Sequence, residues 1–206
     1  MFLTEEEILD TPGALKRTCR YFEENKERID GFFKAFPQRK FTVLGCGSSY
    51  MLSKSAAAVL ASFRETVANA IPAGDYISDP MFWQETVRGS IVLMLSRSGR
   101  TSEMVWAARR IKESLGCPII SINAEANNDI TPMSDLDLSL PWCHDNSVCQ
   151  TRTVTNLYAA MLLLAARYAK DDTLWKSVHD ATAGNEAFQQ KYRPILEELA
   201  IRDWNN

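Results

Sequence analysis

The chain has 206 residues, of which 46% are apolar, and its 23 Lys and Arg residues nearly balance 26 Asp and Glu residues for a net charge of −3. This apolar content excludes a disordered chain, and the lack of a Lys or Arg run in the sequence argues against a nucleic-acid partner. The start, MFLTEEEILD, is acidic where a secretory signal needs a basic region, and the longest apolar stretch, 158–168, is roughly half of a membrane span. We therefore expect a cytoplasmic protein without a membrane segment.

The cysteines indicate reduced thiols rather than disulfides or a metal centre. They are odd in number and lack C-x-x-C spacing, as is typical of proteins in a reducing compartment. Cys143, His144 and Cys149 lie close together in the sequence, but their spacing matches no zinc pattern. No metal and no cofactor are predicted. The five cysteines are Cys19, Cys46, Cys117, Cys143 and Cys149.

In chain order, the first predicted element is a helical segment over residues 5–36, interrupted near Pro12–Gly13 and stopped by Pro37. Short apolar or β-branched runs then alternate with helical patterns, as in a parallel sheet covered on both faces. This alternation predicts a doubly wound α/β fold, a three-layer α/β/α sandwich with right-handed crossovers. The five predicted strands are residues 41–45, 66–71, 88–96, 117–123 and 136–141.

The C-terminal part is predicted to be helical. Residues 154–170 are apolar on nearly all sides and predict a buried helix, and residues 171–200 predict two amphipathic helices with a break at Gly184. The apolar helix at 154–170 and the leading helical segment together offer more apolar surface than one small domain covers, which predicts a homo-oligomer. We divide the chain into leading helices at 1–37, a central domain at 38–170 and C-terminal helices at 171–206.

Two loops carry the candidate chemistry, because ligands of open α/β sheets bind beyond the carboxyl ends of the strands. GCGSS (45–49) follows the first strand, and SRSGRT (96–101) follows the third and leads into a helix. Unpaired N–H groups at a helix start, with Ser and Thr hydroxyls, hold a phosphate without a metal. An ordinary helix cap at Ser98 or Ser102, with no ligand, explains the second loop equally well.

Other phosphate motifs are excluded by the sequence. A Walker loop needs a Gly-Lys pair, which occurs nowhere in the chain. The dinucleotide fingerprint G-x-G-x-x-G starts at Gly45 and Gly47 but meets Tyr50 in place of the third glycine. Nucleoside triphosphates and NAD are therefore not expected.

Three segments together resemble the sugar isomerase (SIS) domain. GCGSSY resembles its G-x-G-[ST]-S loop, SRSGRTSE its S-[RQ]-S-G-x-[ST]-x-[ED] loop, and NSVCQTRTVT the segment E-x-x-V-A-x-T-[KR]-x-[FT]-T that begins a long helix. The three segments resemble those of the N-terminal SIS domain of AgaS-type ketose/aldose isomerases and of the isomerase half of glucosamine-6-phosphate synthase. EILDTPGAL resembles the preceding E-I-x-x-Q-P, with Thr11 in place of Gln, so the resemblance extends over residues 7–165.

The resemblance implies a domain that binds a phosphorylated sugar or amino sugar. The resemblance implies that the two loops rich in Ser and Thr hold the phosphate and that the main-chain N–H of Arg97 contributes. Two residues before the long helix would contact the sugar. The implied phosphate residues are Gly47, Ser48, Ser49, Ser96, Arg97, Ser98 and Thr101, and the implied sugar-end residues are Val148 and Gln150.

Catalysis of aldose–ketose interconversion needs a base that moves a proton between C1 and C2 and an acid that opens the ring. Asp145 stands where many SIS relatives have the longer Glu, and His144 offers a ring-opening acid. Glu103 is better explained as a charge that stabilises a helix start. In the resembling proteins a second SIS domain follows in tandem, and in the synthase type it carries most of the ring-opening and proton-transfer groups. The C-terminal helices at 171–206 resemble the linker that leads into that second domain.

Three functions from different classes remain open. One is an isomerase, or an amino-sugar-phosphate deaminase or deglycase, whose site is completed by a second domain or a neighbouring subunit. Another is a phosphosugar-sensing regulatory domain without catalysis. The last is a Rossmann-like domain with capping serines and no ligand, which the coincidence of three loops disfavours.

Overall fold

The sheet of the computed structural model, which describes residues 2–202, has five parallel strands and confirms the predicted fold class. The strands lie in the order β2-β1-β3-β4-β5, and each falls inside or within one residue of its predicted range. Their bounds are β1 Lys40–Gly45, β2 Val67–Pro72, β3 Ile91–Ser96, β4 Ile119–Asn123 and β5 Leu136–Ser139.

Helices cover both faces of the sheet, as the alternating pattern predicts. One face is covered by α1, α2, α3 and α7, with α8 packed on α1 and α7, and the other face is covered by α4, α5 and α6. The helices are α1 Leu3–Glu24, α2 Lys26–Ala35, α3 Ser48–Ala61, α4 Ala73–Ser78, α5 Pro80–Val87, α6 Ser102–Leu115, α7 Arg152–Ala169 and α8 Asp172–Ala200.

The central strand β3 shows why its sequence lacks the usual alternation of apolar and polar residues. All six of its residues are buried, because side chains on a strand point to opposite faces in turn and both faces are covered. Leu93 and Leu95 belong to the core on the α7 side, and Val92 and Met94 to the core on the α6 side. A buried parallel strand therefore reads as a continuous apolar run.

Two predicted helix breaks are wrong. Helix α1 runs through Pro12, which leaves the carbonyl of Ile8 without its helical donor. The Gln189 side chain donates to that carbonyl over 2.8 Å, so α8 replaces the missing bond. Helix α8 likewise runs through Gly184 without a break, since one glycine costs a helix only about 1 kcal/mol and α8 packs along α1 and α7. The leading helical segment divides instead at Asn25.

The apolar helix α7 is covered inside the chain. It packs against α1, α3 and α8, and its buried residues include Leu157, Leu163 and Leu164. The α7 part of the surface from which the homo-oligomer was predicted is therefore already occupied, and the oligomer stays a prediction. Within residues 2–202, none of the helices combines the length and the apolar character that crossing a membrane requires.

Candidate functional site

A cavity opens at the carboxyl edge of the sheet, where the strand order changes direction. β1 and β3 are neighbours, but the chain leaves β1 toward β2 and leaves β3 toward β4, which separates the two following loops and makes a crevice. We call this space, with a volume of about 110 Å³, the edge cavity. Its lining residues are Cys46, Ser49, Leu95, Ser96, Arg97, Ser98, Thr101, Met104 and Gln150.

The loop after β3 is closed by hydrogen bonds between its own Ser hydroxyls and main-chain N–H groups. The Ser96 hydroxyl accepts a hydrogen bond from the Gly99 N–H over 2.9 Å, and the Ser98 hydroxyl accepts one from the Arg100 N–H over 3.2 Å. Gly99 has a φ of +62°, and a Cβ added there would lie 2.2 Å from the Asn128 side chain. Only glycine fits this position, because any other side chain meets both backbone strain and a collision.

The start of α6 leaves its polar groups available to a ligand. The cap position belongs to Thr101 and not to Ser98 or Ser102, and the Thr101 side chain makes no capping hydrogen bond to the described helix. The N–H groups of the first helical turn have no partners inside a helix, and the helix dipole favours an anion in front of them. Hydroxyl and N–H donors therefore converge on one wall of the edge cavity.

The loop after β1 supplies the opposite wall. Gly45 allows α3 to approach β1, since a Cβ there would lie 2.6 Å from the Ser49 carbonyl oxygen and 2.7 Å from the Ser53 hydroxyl. Ser49 is buried and lines the cavity. Gly47 and Ser48 are exposed beside it and are not among the lining residues.

Cys46 lines the same wall and was not predicted as a site residue. Burial raises the pKa of its thiol, the Glu103 carboxylate raises it further, and a hydrogen bond with the Ala73 backbone opposes both. The thiol is therefore neutral near pH 7 and does not repel an anion.

Met104 and Leu95 were also missed as lining residues. In the sequence, an apolar residue that lines a cavity looks the same as one that packs in the core.

The size and charge of the edge cavity suit the phosphate end of a ligand. Its volume of about 110 Å³ is well below the roughly 300–1,000 Å³ that encloses a whole small-molecule ligand. The nearby guanidinium groups have protein partners: Arg97 donates to the Ser147 carbonyl over 3.2 Å, and Arg100 pairs with Glu125. Neutral hydroxyls and main-chain N–H groups remain as the main donors toward an anion.

The irregular segment 144–151, here called the anchored loop, joins β5 to α7 and places Gln150 in the edge cavity. The other predicted sugar-end residue, Val148, is 94% exposed and does not line the cavity. The structure thus brings Ser49, Gln150 and the loop after β3 together and leaves Val148 outside.

The two predicted catalytic residues lie in the anchored loop but not in the cavity lining. Asp145 is 1% exposed, and its Oδ2 accepts hydrogen bonds from the N–H groups of Thr151 at 2.7 Å and Thr153 at 2.9 Å. The Arg152 Nε lies 3.5 Å from its Oδ1. His144 is partly exposed, with its Nδ1 3.5 Å from Glu125 Oε1. The Asp145 carboxylate is thus committed to the start of α7, and both catalytic roles stay predictions.

Glu7 of α1 holds the anchored loop and was missed by sequence analysis. Its Oε1 accepts hydrogen bonds from the N–H groups of Asn146 at 2.7 Å and Ser147 at 3.1 Å, and its Oε2 accepts one from the Ser147 hydroxyl. Burial raises the pKa of Glu7, but the hydrogen bonds from Ser147 and Asn146 outweigh it. The Arg152 charge acts in the same direction, so the pKa lies below its usual 4.5. The only signal in the sequence is the E-I pair at the start of the E-I-x-x-Q-P segment.

A metal centre is not formed by the part of the chain that the structure describes. Within residues 2–202, no three or more His, Cys, Asp or Glu side chains gather closely enough to hold a metal ion.

The comparison with protein families matches residues 36–167 to the model of the SIS domain. This match includes the loops after β1 and β3 and most of α7, and it confirms the resemblance found in the motifs. It leaves out α1, which carries Glu7, and all of α8.

Two curated relatives support the same assignment. D-galactosamine-6-phosphate deaminase AgaS of Escherichia coli is 24% identical over 187 residues, which are 86% of this chain and 49% of the relative. Glutamine--fructose-6-phosphate aminotransferase [isomerizing] 2 of Mus musculus is 22% identical over 176 residues, which are 81% of this chain and 25% of that protein. The chain therefore spans about half the length of one relative and a quarter of the other.

Among solved structures, the fold is similar to that of tagatose-6-phosphate ketose/aldose isomerase from Escherichia coli. The TM-score is 0.79 at 20% sequence identity, and the match covers 93% of this chain and 54% of that one. At this identity the likeness shows the fold alone.

Proposed function

The chain belongs to the SIS domain family, and from this premise we propose that it binds a phosphorylated sugar or amino sugar with the phosphate in the edge cavity. The observation that carries the proposal is the convergence of the Ser98 and Thr101 hydroxyls on the unpaired N–H groups at the start of α6. Ser49, in the first turn of α3, lines the same cavity. Because the cavity holds little more than a phosphate, the sugar extends from it toward Gln150.

The parent activity we propose is that of a sugar-phosphate aldose/ketose isomerase or of an amino-sugar-phosphate deaminase or deglycase. The lining of the edge cavity, among the described residues, contains hydroxyl, thiol, guanidinium, amide and apolar groups but no carboxylate or imidazole. A base for proton transfer must therefore reach the sugar from outside this lining. A second SIS domain or a neighbouring subunit supplies it in this account, and residues 38–170 act as the phosphosugar-binding unit.

The same observation supports a second candidate, a regulatory domain that senses a phosphosugar without turning it over. A cavity with anion-binding groups and no acid–base group in its lining binds a ligand without needing to transform it. The two candidates differ in turnover, so incubation of the purified chain with fructose 6-phosphate or glucosamine 6-phosphate, followed by product analysis, separates them.

The proposed setting is the cytoplasm, with the chain in a homo-oligomer. The five cysteines are all free, as is usual where thiols are kept reduced. An oligomer would bring a neighbouring subunit to a site whose own lining lacks a base. Sedimentation at high micromolar concentration tests it, and a monomer there argues against a shared site.

Binding is tested by calorimetry with fructose 6-phosphate, glucosamine 6-phosphate and the two unphosphorylated sugars. We expect the phosphorylated forms alone to bind, and the double variant Ser98→Ala, Thr101→Ala to bind them at least about a hundredfold less tightly, since each charge-assisted hydrogen bond contributes roughly 1.5–3 kcal/mol. Ser102→Ala is the matched control, because Ser102 is exposed on the same helix turn but does not line the cavity. Equal affinity for phosphorylated and free sugars contradicts the proposal.

A further inference from the structure

Glu7 is a buried carboxylate that joins two parts of the chain 139 residues apart. It is 3% exposed and receives three hydrogen bonds, all from the anchored loop. Burial of a carboxylate is costly unless donors compensate it, and an apolar side chain would attach α1 to the domain at lower cost. The three donors therefore indicate that Glu7 fixes the conformation of this loop.

Ser147 connects this contact to the edge cavity. Its N–H and hydroxyl donate hydrogen bonds to the Glu7 carboxylate, while its carbonyl accepts a hydrogen bond from the Arg97 guanidinium. Arg97 itself lines the edge cavity in the loop after β3. One buried residue thus holds the anchored loop between α1 on one side and the phosphate-binding loop on the other.

Gln150 is the residue that this arrangement delivers into the edge cavity. It lies three residues after Ser147, and its amide oxygen is buried without a hydrogen-bond partner among the described residues. A buried amide oxygen is normally paired, so it needs a donor such as a sugar hydroxyl.

We infer that Glu7 is a positioning residue for the sugar end of the edge cavity, acting through Ser147 on the placement of Gln150. The inference rests on the proposed function and deepens it, because it assigns sugar recognition and phosphate recognition to different supports. The phosphate is held by the loop after β3 and the start of α6, which Glu7 does not touch. The sugar depends on a loop that α1 holds in place.

The test is calorimetry with fructose 6-phosphate and, separately, with inorganic phosphate. We expect Glu7→Ala to weaken binding of fructose 6-phosphate about tenfold, the equivalent of one hydrogen bond of about 1.4 kcal/mol. The affinity of this variant for inorganic phosphate should stay within about twofold of the wild-type affinity, which is less than half the free energy of one such hydrogen bond. Glu7→Gln, which keeps one acceptor oxygen, should give an intermediate loss. Glu6→Gln, at the exposed neighbouring position, is the matched control and should change neither affinity.

A double-mutant cycle shows whether Glu7 acts through Gln150. If it does, Glu7→Ala adds little to the loss already caused by Gln150→Ala, because the side chain it positions is gone. Additive losses contradict this route. Should Glu7→Ala not fold, Glu7→Gln and Ser147→Ala carry the same test, since each alters a single part of the contact.

The outcomes separate the inference from the proposed function. If the wild type binds fructose 6-phosphate no better than fructose, the proposed function fails and the inference falls with it. If the wild type binds the phosphosugar and the Glu7 variants bind it equally well, the inference alone is overturned. Equal losses for fructose 6-phosphate and inorganic phosphate also overturn it, because a general structural defect, not sugar-end positioning, then accounts for them.

Discussion

The loop after β3 and the anchored loop, which each form one wall of the candidate site, are built in different ways. The loop after β3 is shaped locally, by hydrogen bonds from Gly99 to Ser96 and from Arg100 to Ser98. The anchored loop is shaped from a distance, because its contacts run to Glu7 in α1 and to Arg97 in the loop after β3. A motif can encode the first kind of wall, whereas the second exists only after the chain has folded.

This difference separates the two halves of ligand recognition. The phosphate wall is held mainly by hydrogen bonds within one loop, so its form depends little on the docking of α1. The anchored loop, which forms the sugar end of the site, depends on the docking of α1. Besides Glu7, α1 contributes an ion pair between Asp10 and Arg152 at 2.7 Å. A substitution should therefore weaken either the binding of the phosphate or the binding of the sugar, depending on which wall it alters.

The largest effect is expected from Gly99→Ala in the local wall. The new Cβ meets the Asn128 side chain at 2.2 Å in a backbone conformation with φ of +62°, so we expect a loss of about 3 kcal/mol or more in the free energy of unfolding and no phosphosugar binding. Urea denaturation measures the first and calorimetry the second. Gly116→Ala is a matched control, since Gly116 has the same φ with no atom within 4 Å and should cost only about 1 kcal/mol. Equal losses at both positions contradict the close approach of Asn128.

A loss of roughly 2–4 kcal/mol in the free energy of unfolding is expected for Asp145→Ala in the anchored loop. The substitution leaves the N–H groups of Thr151 and Thr153 without their acceptor and removes one of the two carboxylates beside Arg152, the other being Asp10. Asp129→Ala, at an exposed carboxylate, serves as the control and should cost little. Unchanged stability in Asp145→Ala shows instead that the carboxylate is free for a catalytic role.

A smaller, pH-dependent effect is expected at Glu7. Because the pKa of Glu7 is lowered in the folded state, its carboxylate contributes stability above its usual pKa of 4.5, and this contribution is lost as the pH falls through the folded value. Glu7→Gln should therefore cost about 1–2 kcal/mol near pH 7, and the difference from the wild type should shrink below pH 4.5. Denaturation curves measured from pH 7 to pH 3 give this difference. A gap that stays constant over this range contradicts the account of the contact.

The smallest effect is expected far from both walls, in α8. Gly184→Ala should raise the free energy of unfolding by about 0.5–1 kcal/mol, because Gly184 lies inside a continuous helix and an added Cβ meets no atom within 4 Å. Phosphosugar affinity should not change. A loss of stability in thermal denaturation indicates that the helix bends at this position.

The sheet and the local wall follow from the sequence because their signals are periodic or contiguous. A continuous apolar run marks β3, and GCGSS and SRSGRT stand at the carboxyl ends of β1 and β3. The continuous course of α1 was not predictable, since it depends on Gln189 bonding to the Ile8 carbonyl freed by Pro12. The same holds for the buried state of Asp145 and for the role of Glu7: both depend on partners that lie apart in the sequence or are brought together by the fold.

The most direct test of the central claim is a crystal structure of the chain grown with fructose 6-phosphate. The account predicts the phosphate at the start of α6, within hydrogen-bond distance of the Ser98 and Thr101 hydroxyls, and the sugar directed toward Gln150. The larger groove between α1 and α8, of about 720 Å³, offers a site of different character, lined by Ile8, Phe188 and Leu196 among others. Density for the sugar phosphate in that groove, with the edge cavity free of it, would contradict the account.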